Sequence, residues 1–366
     1  MNRTIGLICG NYEIPAYDSM VRDRPPVSMP YGGRFRLMDF ALSNMVNSRI
    51  QTVGFITPYR YRSILDHIGA GKEWGMDKKQ GGLYFLPGTV SGVRNQNTRF
   101  LFRDFLHNLS YFIQGDGDYV LVTTGTMVAN IDFQPMIAQH ELSGLPVTLM
   151  YRKRGEGEKG RVCSLDLTDD GRVRAILPEE KTGNLFLDTF IIDRTLVLKL
   201  AENYANLGHM DLMHILRESL DSIPMGSWCF DGYVNFADGK QDYYKASMDL
   251  LKAEVRHELF NRDRPITTKI HDAPPAVYAK GSNVRNSVIT TGSYIEGTVQ
   301  HSIVFRDVKV EKGAEVRGCV LMEGTVVKAG AILENVIVDK DVTVSVGTVL
   351  RSTGENLCVI PKGASI

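Results

Sequence analysis

The chain has 366 residues, 43% of them hydrophobic, which is enough to fill more than one core, so two domains are expected. Lys plus Arg equals Asp plus Glu at 42 each, which gives no overall field for a nucleic acid or an anionic membrane, and no apolar run of about 18 residues predicts a transmembrane helix. The five cysteines form no Cys-x-x-Cys pair, which argues against a zinc site and a disulfide scaffold and favours a reducing, cytoplasmic location.

The first two thirds of the chain alternate short apolar strands with helix-like segments. Strands are predicted at TIGLIC, TVGFIT, YVLVTT and VTLMY, and helix-like segments at RLMDFALSNMVN, FRDFLHNLSYFI and FQPMIAQHELSG. This alternation is typical of βαβ units and a mostly parallel sheet. Ligands of such sheets bind beyond the carboxyl ends of the strands, so chemistry is expected in the turns after Ile8, Ile56 and Val122.

The composition changes around Asp272, where a proline-bearing connection leads into short valine-rich strands. Apolar residues then recur every six positions, with one shift of four, at Val304, Val310, Val316, Val320, Val326, Ile332, Val338, Val344 and Leu350. A six-residue step predicts a left-handed parallel β-helix, with a β-sandwich as the alternative. The predicted organisation is an α/β domain over 1–262, a linker over 263–283 and a β-helix over 284–366.

The most specific motif is PYGGRFRLMDFALSNMVNS, from Pro30 to Ser48. It closely resembles the signature of bacterial glucose-1-phosphate adenylyltransferases, also called ADP-glucose pyrophosphorylases. The segments 54–68, 242–251 and 264–269 resemble further parts of that family, so the resemblance runs through nearly the whole chain. It implies a Rossmann-like nucleotidyltransferase domain with a GT-A-like mixed sheet, followed by the left-handed parallel β-helix.

The resemblance breaks down at the loop that would hold the nucleotide. The family's glycine-rich loop brings backbone amides close to a triphosphate, whereas here the first strand is followed by GNYEIPA, residues 10–16. One glycine is kept, Glu13 brings a like charge towards phosphate, and Ile14 and Pro15 do not form an open amide cradle. We therefore predict that ATP does not bind in the family's manner.

The resemblance also aligns the family's two metal-binding aspartates with Thr126 and Phe236. A hydroxyl or a phenyl ring cannot replace a carboxylate as the main ligand of Mg²⁺. No catalytic residue and no metal ligand are therefore assigned. Asp132, Asp231 and Asp238 are near enough in sequence to replace the lost ligands, which leaves open an active sugar-phosphate nucleotidyltransferase with displaced ligands.

Two groups of residues remain as binding candidates. Glu180 and Lys181 resemble the family's Phe-x-Glu-Lys-Pro segment, whose lysine holds glucose 1-phosphate; a solvated turn lysine is the alternative. Arg24, Arg34 and Arg36 are candidates for an effector site, because Arg36 matches the family arginine associated with sugar-phosphate effectors and guanidinium groups suit phosphate dianions. The alternative for Arg36 is an arginine at a helix start that pairs with a local acid.

A chain that keeps the family signature but lacks its catalytic carboxylates resembles the GlgD-type regulatory subunits of this family. That resemblance implies a chain that is itself inactive, binds no cofactor, and assembles into a heterotetramer with a GlgC-type catalytic chain that carries Mg²⁺. The pair would make ADP-glucose from ATP and glucose 1-phosphate for glycogen under a sugar-phosphate effector, with no nucleic acid or membrane as partner; the isolated chain could form a homo-oligomer. A third alternative, a hexapeptide-repeat acyltransferase, has only His301 as a candidate catalytic histidine in the β-helix.

Overall fold

The computed structural model describes residues 3–90, 98–155, 163–179, 183–353 and 356–366. The chain forms two compact units that are not consecutive blocks of sequence. Unit 1 comprises Met1–Glu13, Ala41–Gly125 and Asn130–Gly232, and unit 2 comprises Ile14–Phe40, Thr126–Ala129 and Tyr233–Ile366. A segment near the start of the chain therefore belongs to the same unit as its end. The domain boundaries at residues 262 and 284 stay a prediction.

The secondary structure up to residue 259 mixes strands and helices. The strands are β1 (Thr4–Cys9), β2 (Pro30–Tyr31), β3 (Phe35–Arg36), β4 (Thr52–Thr57), β5 (Gly82–Pro87), β6 (Tyr119–Thr124), β7 (Val147–Lys153), β8 (Ser164–Leu167), β9 (Val173–Leu177), β10 (Asn184–Asp193) and β11 (Met225–Cys229). The α-helices are α1 (Leu37–Asn47), α2 (Arg62–Ile68), α3 (Phe102–His107), α4 (Leu109–Gln114), α5 (Gln134–Ser143), α6 (Arg194–Asn203), α7 (Leu212–Glu218), α8 (Lys240–Asp249) and α9 (Ala253–Leu259). Short 3-10 helices cover Pro15–Val21, Pro26–Ser28, Lys72–Trp74 and Ala205–Leu207. None of the described helices has both the length and the hydropathy needed to cross a bilayer.

Unit 1 is built on a nine-stranded sheet whose main order is β11-β7-β10-β6-β1-β4-β5. The strands predicted from the apolar runs are confirmed as β1, β4, β6 and β7. β1 is parallel to β4 and β6, whereas the long strand β10 runs antiparallel to both β6 and β7. The sheet is therefore mixed, because β10 separates two parallel groups of strands.

One predicted helix is divided in two. The segment FRDFLHNLSYFI forms α3 and α4, which meet at Asn108. The Asn108 side-chain amide donates to the carbonyl oxygens of Asp104 and Pro87, at 2.8 and 3.0 Å. Asparagine favours such local bonds to the backbone over a continuous helix, which accounts for the break.

Part of the signature segment serves unit 1 as a structural clamp. The Asn44 Oδ1 atom accepts a hydrogen bond from the Ile131 N–H at 3.0 Å, and the Ser48 Oγ atom accepts one from the Phe133 N–H at 2.8 Å. Asn44 in α1 and Ser48 directly after it are both buried. The asparagine and serine of the signature therefore fix the backbone that leads into α5, which is a role in folding.

In unit 2 the first part of the signature forms a tight hairpin. β2 pairs with β3 in antiparallel register, with Pro30 opposite Arg36. The turn between them contains Gly33 at φ +88°, a conformation that side chains rarely adopt. A Cβ atom on Gly33 would lie 2.2 Å from the Thr290 hydroxyl oxygen. Both the backbone conformation and this close approach require glycine.

The rest of unit 2 is dominated by three stacked parallel sheets of five strands each. Their strands are β12 (Val277–Tyr278), β13 (Asn283–Arg285), β14 (Val288–Ile289), β15 (Tyr294–Ile295), β16 (Thr298–Gln300), β17 (Ile303–Val304), β18 (Lys309–Val310), β19 (Glu315–Arg317), β20 (Val320–Leu321), β21 (Val326–Val327), β22 (Ile332–Glu334), β23 (Val336–Val338), β24 (Thr343–Val344), β25 (Val349–Arg351) and β26 (Cys358–Ile360). Each strand pairs with the third strand after it, so the chain winds as a β-helix.

The repeat of this β-helix differs from the predicted one by a single residue. Val310 pairs with Val327, and Val327 pairs with Val344, so one coil has 17 residues. The pairings from β16 to β25 all keep this spacing, whereas the pairings of β13 to β15 with β16 to β18 span 15 residues. In the 17-residue coils one side is a residue shorter than the six-residue step assumes, and the interior resumes after Val316 with a step of five. The interior residues are Leu321, Val327 and Leu333. The prediction of Val320, Val326 and Ile332 for these positions is wrong, whereas Val304, Val310, Val316, Val338 and Val344 are confirmed.

The third sheet, β14-β17-β20-β23-β26, is apolar on both faces. Its outward-pointing residues Ile303, Val320 and Ile337 are fully buried. Other parts of unit 2 meet this sheet at its turns, where the Tyr244 hydroxyl of α8 donates to the Gly318 carbonyl oxygen at 2.6 Å. This explains why both β20 positions, Val320 and Leu321, are apolar.

Candidate functional site

Thr126 and Phe236, the positions aligned with metal-binding aspartates, lie beside one short stretch of paired backbone. Val128 and Asn235 form an isolated antiparallel bridge, with N···O distances of 2.7 and 3.0 Å. Thr126 lies two residues before Val128, and Phe236 directly follows Asn235, so the bridge brings both positions to the same place in unit 2. Thr126 is fully buried and Phe236 is 9% exposed.

The turn after Phe236 is held by several bonds. Ala237 has φ +44°, which is uncommon for a residue with a side chain. Its N–H donates to the Asn235 Oδ1 atom at 2.8 Å, and its carbonyl oxygen accepts from the Tyr17 hydroxyl at 2.5 Å. The Tyr17 ring packs edge-on against Tyr243, with 6.2 Å between ring centres. The backbone of the family's second metal position is therefore rigidly placed without a metal ligand.

These residues do not fit Mg²⁺, which prefers carboxylate oxygens. In the part of the chain that the structure describes, no three His, Cys, Asp or Glu side chains are arranged to hold a metal ion. Among the proposed replacement ligands, Asp132 accepts from the Gln134 N–H at 2.9 Å where α5 begins, and Asp231 accepts from the Cys229 thiol at 3.3 Å. Asp238, the third, is half-buried directly after the strained turn. We derive no metal-dependent step from this arrangement.

The loop after β1 is tied down by its own side chains. The Gly10 N–H donates to the Ile56 carbonyl oxygen at 3.0 Å. The Asn11 amide donates to the Asp104 carboxylate at 2.7 Å and to the Thr89 carbonyl oxygen at 3.2 Å. Asp104 also accepts from the Thr89 N–H and hydroxyl, at 2.7 and 2.8 Å. The loop thus belongs to a closed network of buried side chains.

Tyr12, the next residue, extends this network across the ends of the strands. Its hydroxyl is hydrogen-bonded to the hydroxyl of Thr124, the last residue of β6. The Arg99 guanidinium lies 4.5 Å from the centre of the Tyr12 ring, and its Nε atom is 3.8 Å from the Asp188 carboxylate. Arg99 and Asp188 are 8% and 6% exposed. A buried cation is therefore held between an aromatic face and a buried carboxylate.

The electrostatics of this region oppose a polyphosphate. Burial raises the pKa of the Cys9 thiol well above its usual value, and the carboxylates of Asp104, Asp211 and Asp188 raise it further. Asp104 and Asp188 are buried and Asp211 is half-buried, so these carboxylates add negative charge near the carboxyl end of β1, which the Arg99 guanidinium beside Asp188 offsets in part. Like charges brought together in a buried site repel strongly. This environment is unfavourable for further negative charge, such as that of a triphosphate.

Two of the three arginines proposed as effector ligands lie near one group of charged side chains in unit 2. The Arg24 guanidinium is 2.5 Å from the Asp339 carboxylate, with the two side chains 10% and 2% exposed. The Arg36 guanidinium donates to the Ser28 hydroxyl at 2.6 Å, and its backbone N–H donates to the Asp39 carboxylate at 2.8 Å. Asp39 thus contacts the backbone of Arg36 at the start of α1, and both the effector role and the alternative of a side-chain pair stay predictions.

The turns of the β-helix add further charges. The Lys340 ammonium is 2.6 Å from the Glu323 carboxylate, and the Arg306 guanidinium is 3.9 Å from it. Burial lowers the pKa of Lys340; Glu323 opposes this shift, and the nearby Arg36 and Arg24 add to it. Burial alone would raise the pKa of Glu323, but Lys340, Arg306 and His271 hold it below its usual value. We call Arg24, Arg36, Arg306, Lys340, Asp339 and Glu323 the basic cluster.

The remaining candidates are placed differently. Arg34 is exposed, and its guanidinium lies over the Phe35 ring, 4.9 Å from the ring centre. Its carbonyl oxygen accepts from the Thr268 hydroxyl at 3.5 Å. Glu180 and Lys181, the sugar-phosphate candidates, lie outside the described residues.

Sequence reasoning missed the β-helix members of the basic cluster. Arg306, Glu323 and Lys340 are spaced 17 residues apart, which is one coil, so the correct repeat length would have predicted that they stack. No signal of this kind connects Arg24 to Asp339, because 315 positions separate them. Asp104 and Arg99 were likewise missed, since they belong to no repeat and to no motif quoted from the sequence.

Comparison with known proteins gives two family matches. Residues 20–223 match the family described as "Nucleotidyl transferase", and residues 274–356 match "GlmU-like, C-terminal hexapeptide". The second match agrees with the stacked parallel sheets of unit 2 and assigns them to the left-handed β-helices of hexapeptide-repeat proteins. The predicted fold class is confirmed.

Individual relatives carry two kinds of name. The chain is 31% identical to the glycogen biosynthesis protein GlgD of Bacillus subtilis, over 99% of this chain and 96% of the relative. It is 33% identical to GlgD of Geobacillus stearothermophilus, over 86% and 83%. It is 28% identical to the glucose-1-phosphate adenylyltransferase of Bacillus thuringiensis, over 88% of each chain.

Proposed function

Since this chain belongs to the GlgD glycogen biosynthesis proteins, within the nucleotidyl transferase family, we propose that it is a regulatory subunit of glucose-1-phosphate adenylyltransferase. A role in glycogen biosynthesis follows from the family itself. The finer proposal is that the chain makes no ADP-glucose on its own. It modulates a GlgC-type catalytic chain, which carries the Mg²⁺ and converts ATP and glucose 1-phosphate into ADP-glucose and pyrophosphate.

The observation that carries this proposal is the pairing of Val128 with Asn235. It keeps the paired backbone next to Thr126 and Phe236, while neither side chain offers the carboxylate that Mg²⁺ requires. The network around Asn11 supports the same conclusion for the nucleotide. A chain that keeps the fold and loses both parts of the chemistry is suited to contact a catalytic relative and unsuited to replace it.

A silent subunit acts only through contacts that differ between two states of its partner. A tenfold change in turnover or in effector affinity corresponds to about 1.4 kcal/mol of such differential contact. We propose that the two chains assemble as a heterotetramer, because the relatives include both kinds of chain and share one fold over most of their lengths. The isolated chain is free to form homo-oligomers through the same surfaces.

The basic cluster supports a sugar-phosphate effector. Arg24 and Arg36 both act on the pKa of Lys340, so the three cationic groups share one electrostatic neighbourhood. Guanidinium groups bind phosphate oxygens in bidentate fashion. Glu180 and Lys181 stay proposed as a second, sugar-phosphate contact.

The test is ADP-glucose synthesis by this chain alone, by a GlgC-type chain alone, and by both together, each with Mg²⁺ and a panel of sugar phosphates. We expect no product from this chain alone and a changed kcat or effector response in the mixture. Product from this chain alone would overturn the proposal in favour of an active transferase with displaced ligands. An unchanged mixture, at concentrations where the two chains co-elute, would also contradict it.

The acyltransferase alternative receives no support. His301 is exposed on a turn at φ +49°, and its N–H donates to the Arg285 carbonyl oxygen at 3.1 Å. A catalytic histidine of that class must reach a substrate hydroxyl or amine from a defined pocket. Replacing His301 by Ala is expected to leave the mixed assay unchanged.

A further inference from the structure

The carboxylate of Asp339 occupies the position that an anionic ligand of Arg24 would take. Arg24 is 9% exposed, and its terminal nitrogen lies 2.5 Å from the Asp339 Oδ2 atom. The same Arg24 nitrogen lies 3.9 Å from the Met322 sulfur. The Nε atom of Arg24 lies 3.3 Å from the Met29 sulfur. A guanidinium among thioethers has few oxygen acceptors, so a buried carboxylate is its strongest partner.

Asp339 is itself held in place. Its Oδ1 atom accepts from the Lys340 N–H at 2.7 Å, and its carbonyl oxygen accepts from the Thr325 hydroxyl at 3.1 Å. Its backbone N–H donates to the Ile360 carbonyl oxygen at 3.0 Å. The anion is therefore part of the β-helix turn and does not depart with solvent. It therefore stays available to pair with Arg24 whenever this turn is formed.

The surroundings carry more positive than negative charge. The basic cluster has the cations Arg24, Arg36, Arg306 and Lys340 and the carboxylates Asp339 and Glu323. Asp39 binds the Arg36 backbone N–H, and His271 acts on Glu323 from the other side. Four cations thus face three carboxylates, Asp339, Glu323 and Asp39, and this excess favours a further anion, such as a phosphate monoester.

We infer that Asp339 is a built-in competitor for phosphate at Arg24, which sets how much phosphate monoester is needed to occupy the basic cluster. A phosphate dianion binds in full only in molecules in which Arg24 has left Asp339. If that fraction is between one in ten and one in a hundred, the apparent affinity is lowered by roughly 10- to 100-fold. This inference rests on the proposed function for its biological meaning, and its chemistry concerns this chain alone.

The test is binding of phosphate to the purified full-length chain, without a catalytic partner, at constant ionic strength. Isothermal titration calorimetry would compare inorganic phosphate, glucose 6-phosphate and neutral glucose on the wild type and on D339N. We expect D339N to bind both phosphates about tenfold more tightly or better, and neither protein to bind glucose. A preference for glucose 6-phosphate over inorganic phosphate would identify a sugar phosphate as the ligand.

Matched variants separate this effect from a general change of charge. D341N removes a carboxylate from an exposed turn two residues away and is expected to bind like the wild type. R24Q combined with D339N is expected to lose the gain. An affinity of D339N within twofold of the wild type would overturn the inference, and so would an equal gain in D341N.

A stability readout covers the case in which D339N folds poorly, since it leaves the Arg24 guanidinium buried without its carboxylate. Phosphate should then restore its Tm and yield relative to chloride at equal ionic strength, and D339E should behave as the wild type. Failure of phosphate to stabilise D339N more than the wild type would count against the inference. None of these outcomes depends on ADP-glucose synthesis, so the regulatory proposal stands or falls separately.

Discussion

The side-chain amide of Asn11 and the carboxylate of Asp104 are joined by a buried 2.7 Å hydrogen bond across 93 residues of sequence. This bond ties the loop after β1 to helix α3. Asp104 at the same time holds the backbone and the hydroxyl of Thr89. The loop after β1 thus links α3 and the segment after β5 through buried hydrogen bonds in unit 1.

Replacing Asn11 by Ala is expected to lower the free energy of unfolding by about 1–3 kcal/mol, because Asp104 is left buried with one donor fewer. Urea denaturation followed by circular dichroism measures the change. Asn203→Ala, at an exposed position of α6, serves as the control and should cost less than about 0.5 kcal/mol. Equal costs for the two variants would show that the network does not stabilise the loop.

Restoring carboxylates with Thr126→Asp plus Phe236→Asp is expected to yield no ADP-glucose synthesis, since the loop after β1 keeps Glu13, Ile14 and Pro15 in place of a glycine-rich sequence. Loss of the buried Phe236 ring costs about 3–5 kcal/mol. Activity assays with Mg²⁺ and thermal melting measure the two effects, with Thr126→Ser as the mild control. Mg²⁺-dependent turnover in the double variant would mean that only the metal ligands were missing.

Gly33→Ala is expected to destabilise the chain more than Gly144→Ala. Both glycines have positive φ, at +88° and +61°, so each alanine costs about 1–2 kcal/mol of backbone strain. At Gly33 the new methyl group also meets the Thr290 hydroxyl, whereas nothing lies within 4 Å at Gly144. The overlap adds about 1–3 kcal/mol. Chemical denaturation of both variants decides; a larger loss for Gly144→Ala would contradict the turn geometry.

Leu333→Ala is expected to cost about 2–5 kcal/mol, because Leu333 is fully buried in the interior of the β-helix. Ile332→Ala, the adjacent residue, removes a partly exposed side chain and should cost clearly less. Comparison of their unfolding midpoints tests the 17-residue coil directly. If Ile332 proved the more costly loss, the six-residue phase with a shift of four would be restored.

The His140 side chain predicts a pH dependence. Its ring is buried, with Nδ1 2.8 Å from the Thr148 hydroxyl, and burial lowers its pKa despite the opposing Asp193 carboxylate. Because the unfolded chain takes up this proton first, the contribution is present above the ordinary histidine pKa of about 6.5 and is lost as the pH falls below it. Unfolding free energies between about pH 7.5 and pH 5.5 should fall more steeply for the wild type than for His140→Gln. Parallel curves would contradict this.

The parts of the fold that depend on local hydrophobic patterns could be predicted from the sequence. The strands β1, β4, β6 and β7 are continuous apolar runs, and the coils repeat at short range. The one-residue error in the coil arose because β20 is apolar on both faces, so that Val320 and Leu321 satisfy the pattern equally well. Where both faces of a strand are buried, periodicity alone does not show which side points inward.

For the site, the sequence predicted only which of the family's functional residues are replaced. Thr126 and Phe236 were identified because a resemblance supplied the residues they replace. The side-chain network at the loop after β1 depends on contacts between distant segments, such as Arg99 with Tyr12 and Asp188. No propensity or spacing encodes such contacts, and only the folded chain brings them together.

Unit 2 combines a segment near the start of the chain with the segment at its end, and this affects the order in which its parts are synthesised. Arg24 leaves the ribosome early, but Asp339 follows 315 positions later. At about 5–20 residues per second, the interval is roughly 15–60 s. Throughout that time the hairpin of β2 and β3 lacks the β-helix that Gly33 approaches, while unit 1 has all its residues once Gly232 has been added. The nascent chain therefore carries an unfinished apolar segment near its start, and for most of translation that segment is exposed to chaperones.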